Sequence, residues 1–109
     1  MRRPRTYSPL TVEAARLLGE QVRLARRERR WTIDELAERV GVAHPTLRKV
    51  ERGDLTVGLS VAFEAAAVLG VPLFHEDAAR RSLEAAHVAD RLALLPERSR
   101  RPVRIDDDF

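Results

Sequence analysis

WTIDELAERVGVAHPTLRKVERG, residues 31–53, decides the fold, because it reads as two short helices joined by one tight turn. Thr32 stands where a helix N-cap belongs, and Glu35 follows three residues later; a threonine hydroxyl and a glutamate carboxylate at that spacing satisfy two free backbone amides reciprocally. Ile33, Leu36, Ala37 and Val40 then recur at helical spacing and form one apolar face, while Asp34, Glu35, Glu38 and Arg39 point elsewhere. Gly41 ends this helix, since glycine enters the left-handed conformation at low cost. The next segment turns Val42, Leu47 and Val50 inward and leaves Ala43, His44, Pro45, Thr46, Arg48 and Lys49 outward. Two helices linked this closely form the arrangement that lays its second member in the major groove of DNA.

Helical patterns continue on both sides. Ser8 followed by Pro9 reads as an N-cap and first helical position. From there to about Arg29, Val12, Ala15, Leu18, Val22 and Ala25 recur at three- and four-residue spacing. Beyond the central pair, residues 54–58 read as a loop and Leu59 to Leu69 as a fourth helix closed by Gly70. Pro72 forces a break, Phe74 is expected to plug the core, and 75–95 forms a long final helix stopped by Pro96. On it Leu83, Ala86 and Asp90 share one face while Val88, Leu92 and Leu95 share another, which suits a helix with more than one neighbour. The expected fold is therefore all-α with five helices: a basic arm (1–8), a helix-turn-helix domain (9–74), a C-terminal helix for a dimer or partner contact (75–95), and a charged tail (96–109).

The 109 residues allow one domain with tails, and at this size dimerisation is an attractive way to add buried area. Twenty basic residues face seventeen acidic ones, for a formal net charge of +3, but placement says more than the total. Residues 1–30 carry nine arginines (2, 3, 5, 16, 23, 26, 27, 29 and 30) against three glutamates. An electropositive face beside the second short helix suits phosphate binding. Lys49 is the only lysine, so part of the arginine richness reflects a compositional preference rather than a site.

The ordered set of Leu36, Ala37, Gly41 and Val42, then Glu51 and Gly53, then Leu69, Gly70 and Val71 resembles the helix-turn-helix of phage-repressor-like (Cro/C1-type, XRE family) transcriptional regulators, over roughly residues 18–71. Two positions depart from that pattern. Ala43 replaces the usual serine or similar polar cap, and Pro45 lacks an amide proton, which the first helical turn tolerates at the loss of one backbone donor to phosphate. The resemblance implies DNA binding in two layers. Thr32, Arg23 and Arg52 contact phosphates together with the backbone amides that start the third helix. His44, Thr46 and Arg48 read bases, Lys49 joins them or binds phosphate, and the methyl of Ala43 or Thr46 sits against a thymine methyl. It also implies that Glu51 is a structural hydrogen-bonding residue. Trp31 reads as a wall between helices, and Arg2, Arg3 and Arg5 as an arm able to enter a minor groove but more simply mobile when free.

PERSRRPVRIDDDF, residues 96–109, is too polar to fold by itself and reads first as a solvated tail. Its apolar residues Val103 and Ile105 and its terminal Phe109 are nevertheless anchors that a partner can bury. A helix-turn-helix core followed by a terminal helix and a basic-then-acidic tail resembles the HipB-type antitoxins. That resemblance implies a homodimer that represses its own operon and restrains a HipA-like kinase toxin. A stand-alone regulator, or the antitoxin of a ribonuclease toxin, is the alternative.

Little supports catalysis. His44, His75 and His87 are scattered, cysteine is absent, and no nucleophile elbow or phosphate-cradling glycine loop occurs. Asp106 to Asp108 form a run of carboxylates of the kind that is ordinarily solvated. No cofactor or metal is expected. The longest apolar stretch, Ala65 to Leu69 and on towards Phe74, is broken by Gly70 and Pro72 and is too short to span a bilayer; with no signal segment at the N-terminus, a cytoplasmic protein is expected.

Overall fold

Local signals set the helix boundaries. In the computed structural model, which describes residues 6–97, α1 spans Pro9–Glu28; the Ser8 hydroxyl accepts the Thr11 amide at its start. The other helices are α2 (Ile33–Val40), α3 (His44–Arg52), α4 (Leu59–Leu69) and α5 (Ala78–Ala93). Gly41, Gly53 and Gly70 close α2, α3 and α4 in the left-handed conformation, with φ of 85°, 73° and 72°. Among the described residues no strand forms, and the all-α fold is as the sequence pattern requires.

The core lies where α1 to α4 meet. Val22 of α1, Leu36 and Ala37 of α2, Leu47 and Val50 of α3, and Ala65, Ala66 and Leu69 of α4 are buried, closed by Val71 after the last turn. Each large side chain of this set contributes about 1.5–3 kcal/mol by leaving water, so α2 and α3, too short to persist alone, are held by packing. Two glycines let α3 approach α1 closely. A Cβ at Gly19 would lie 2.5 Å from the Val50 carbonyl oxygen, and one at Gly53 would lie 2.7 Å from the Arg16 Cα. The end of α3 thus rests almost on the backbone of α1, which fixes how its outward face is presented.

Phe74 does not plug the core. It is 85% exposed, and at φ 74° it sits in the middle of a three-residue turn in which the His75 amide donates to the Leu73 carbonyl at 3.0 Å. That turn swings the ring outward, and Leu73 packs against the core instead. The last helix is also shorter than the expected 75–95. It begins at Ala78 because the Asp77 carboxylate accepts the Ala79 amide at 2.9 Å, and it ends at Ala93, with Leu94 as its cap.

The chain divides into two compact units between Glu76 and Asp77. The second contains α5, which buries none of its own residues and exposes Leu83, Val88 and Leu92, followed by exposed Leu94 and Leu95. The basic arm through Arg5 and the tail residues Val103, Ile105 and Phe109 lie outside the described residues.

Candidate nucleic-acid interface

The start of α2 is held by a reciprocal cap. The Glu35 amide donates to Thr32 Oγ1 at 3.1 Å and the Thr32 amide donates to Glu35 Oε1 at 2.8 Å, so the reciprocal cap is complete. The hydrogen bond from the Thr32 backbone, then that from its side chain, holds the Glu35 carboxyl below its usual range. Thr32 itself is exposed at the surface where α2 begins. Three residues beyond Gly41, α3 begins differently. Ala43 supplies no side-chain cap, and Pro45 occupies the first turn without an amide proton.

Glu51 and Arg26 explain why α3 sits where it does. Arg26 Nε and Nη2 donate to the two Glu51 carboxylate oxygens at 2.6 and 3.0 Å, and Arg26 Nη1 donates to the Trp31 carbonyl at 2.9 Å. Both side chains are largely buried, at 12% and 7% exposure, and every buried polar side-chain atom among the described residues has a partner. Hydrogen bonding to Glu51 raises the Arg26 pKa further above its already high value. This two-pronged pair ties α3 to α1 and to the segment that enters α2. Trp31 packs against the core with the Arg39 guanidinium over its ring at 4.1 Å and that of Arg29 at 5.6 Å. Arg26, Arg29 and Arg39 therefore carry structural contacts, and the basic character of residues 1–30 is only partly available to a ligand.

Four other arginines gather in one place. A cleft of about 420 Å³ between α1 and α3 is lined by Arg23, Arg27, Arg48 and Arg52, with Ile33 and the Arg26–Glu51 pair at its wall. Four guanidiniums with one internally neutralised pair make a site for anionic groups, and arginine forks match phosphate oxygens in geometry as well as charge.

On the outward side of α3, three side chains are linked in series. Asp34 Oδ1 of α2 hydrogen-bonds to His44 Nδ1, and the Arg48 Nε–H donates to His44 Nε2 at 3.1 Å. Lys49 and Arg52 extend the exposed positive charge towards the end of α3, and both lie near Asp54. The Asp54 carboxyl is held below its usual range, chiefly by hydrogen bonds from the Thr56 hydroxyl and amide and secondarily by those two cations.

Of the nine candidate residues for DNA contact, the structure brings Arg23, Arg48 and Arg52 into the cleft and ties His44 to Arg48. Ala43, Pro45, Thr46 and Lys49 share the outward side of α3 without lining the cleft, Thr46 and His44 being half-buried. Thr32 stands at the start of α2. Sequence reasoning missed Arg27, which lines the cleft one turn from Arg23, and missed Asp34, whose contact with His44 comes from the α2–α3 crossing. The four-residue spacing of His44 and Arg48 was the available signal for their pairing.

The geometry is that of a helix-turn-helix: a capped first helix, a glycine turn and an exposed second helix seated on a basic support. Residues 22–75 match the helix-turn-helix family, so the chain carries a domain of the Cro/C1 (XRE) type, a domain of DNA-binding transcription regulators. No curated protein and no solved structure matches the chain. Among the described residues, no helix is long and apolar enough to cross a membrane and no cluster of ligating side chains suits a metal ion.

Proposed function

We propose that the chain is a cytoplasmic, sequence-specific repressor that binds operator DNA as a homodimer, with α3 in the major groove. The observation that carries this reading is the arginine cleft beside the exposed face of α3, which joins a phosphate site to a base-reading surface on one rigid support. Arg23, Arg27 and Arg52, with the Thr32 hydroxyl, fix the position on the backbone. His44, Thr46 and Arg48 reach base edges, the methyls of Ala43 and Thr46 suit a thymine methyl, and Lys49 holds phosphate. Pro45 at the start of α3 costs one backbone donor and leaves phosphate binding to the side chains.

Selection from a randomised duplex pool checks this. A two-fold palindrome with half-sites about 34–36 Å apart is expected, with affinity falling steeply as salt rises. Recovery of no enriched sequence would overturn it.

A second role is favoured by α5, sixteen residues long, with Leu83, Val88 and Leu92 all exposed. An apolar surface of this extent suits a protein contact. In this reading the regulator is the antitoxin of a HipBA-like pair, α5 and the tail residues Val103, Ile105 and Phe109 hold a kinase-like toxin, and the complex represses its own operon. Co-expression with the neighbouring reading frame is the test. Co-purification that is lost on deleting residues 97–109 is expected, and capture unaffected by the deletion would remove the tail from the account.

A further inference from the structure

We infer that Asp34 is a positioning residue for base recognition, acting through the His44 imidazole to fix the presentation of the Arg48 guanidinium. The inference rests on the proposed reading of DNA by α3.

The chemistry of the three groups allows only one arrangement of protons. A carboxylate is an acceptor, a neutral imidazole offers one N–H and one lone pair, and arginine is a donor that stays charged. Asp34 Oδ1 lies against His44 Nδ1, so the ring proton resides on Nδ1. The lone pair is then on Nε2, where it accepts the Arg48 Nε–H at 3.1 Å. Without Asp34 the ring is free to carry its proton on Nε2, which would set N–H against N–H and expel the arginine.

The consequence falls on how Arg48 can meet a base. An arginine pairs with two acceptors either side-on, through Nε and one terminal nitrogen, or end-on, through both terminal nitrogens. With Nε engaged by His44, only the end-on fork is available, and the guanidinium is held for the O6 and N7 of a guanine. The link also spans the two helices: Asp34 belongs to α2 and both of its dependants to α3, so α2 contributes to the reading geometry of α3. Asp34 is largely exposed, and its negative charge beside a DNA-facing surface opposes phosphate binding. In the first turn of α2 that charge suits the helix dipole, and its contact with Nδ1 orients the ring.

Two substitutions separate orientation from charge. Asp34→Ala and Asp34→Asn both remove the negative charge, but only the asparagine keeps a carbonyl oxygen able to accept from Nδ1. In the full chain without DNA, long-range proton–nitrogen spectra of the His44 ring at pH 8 report which nitrogen is protonated. Nδ1–H is expected in the wild type and in Asp34→Asn, and a shift to Nε2–H in Asp34→Ala. On the duplex selected from a randomised pool, discrimination at the position contacted by Arg48 is expected to fall about tenfold in Asp34→Ala and to be retained in Asp34→Asn. An Nε2–H ring in the wild type overturns the inference, as does equal discrimination by the alanine and asparagine variants. Failure to select any duplex overturns the DNA reading itself, and the inference with it. A duplex bound with the same discrimination by wild type and Asp34→Ala overturns the inference alone.

Discussion

The α2–α3 pair and α5 are both regular helical segments, and they differ in what they bury. The pair is short, eight and nine residues, yet each helix places two side chains out of water, Leu36 and Ala37 in one and Leu47 and Val50 in the other. At sixteen residues α5 is about as long as both together and buries none of its own. Caps and alanine content define that a helix forms; burial defines whether it belongs to a core. In the pair, every apolar face is spent inward, and what faces outward is polar chemistry suited to DNA. In α5 the apolar side chains are themselves the outward surface, which is why its function is read as contact with protein.

The largest effect that could break this comparison is at Leu36. Its side chain is fully buried, so Leu36→Ala should cost about 2–5 kcal/mol in denaturant unfolding. Amide exchange in that variant should accelerate across α1 to α4 and leave α5 unchanged; acceleration of all five helices together would show that the two units fold as one. Next is the cap. Thr32→Ala removes one half of the reciprocal pair and should cost about 1 kcal/mol by the same measurement.

A smaller effect comes with pH. The Glu35 carboxyl is held below its ordinary 4.5 by the Thr32 amide and hydroxyl. Its contribution to stability is therefore full above about pH 4.5 and disappears as pH falls through the lower value of the folded state. Stability measured down the acid limb should decline less in Glu35→Gln than in the wild type; identical limbs would mean that the cap is not maintained in solution. The smallest effect belongs to α5, where Leu92→Ala, at a 63% exposed position, should change stability by less than about 0.5 kcal/mol. A loss of several kcal/mol there would show that this face is already covered by a second copy of the chain.

The same contrast explains what could be read from the residues alone. Caps are local, so Ser8 with Pro9, the Thr32–Glu35 box and the closing glycines 41 and 70 were all legible, as was the apolar period that supplies Val22, Leu36, Leu47 and Val50. Phe74 was not. After Pro72 no helical or strand period constrains which side a residue takes, and a single tight turn exchanged its place with Leu73. The start of α5 moved for a similar reason, because Asp77 caps as well as any earlier residue. At the interface, the positions on α3 could be read from one helix. The cleft could not, since it needs α1 and α3 brought together by Gly19 and Gly53, and neither could the Asp34–His44 contact, which needs the crossing of α2 and α3. Arginine counting also overstated the free positive charge, because Arg26 is committed to Glu51 and the Trp31 carbonyl, and Arg29 and Arg39 to the Trp31 ring.

The central claim is that the outward face of α3 reads DNA. It is tested most directly by fluorescence anisotropy of the selected duplex with the double variant Thr46→Ala, Arg48→Ala, in which neither buried core residue nor cap is touched. An arginine–guanine pair contributes about 1–3 kcal/mol, so affinity should fall roughly 5- to 150-fold or more, with binding to unrelated duplexes far less affected. Unchanged affinity in a folded variant would contradict the account and remove α3 from the interface.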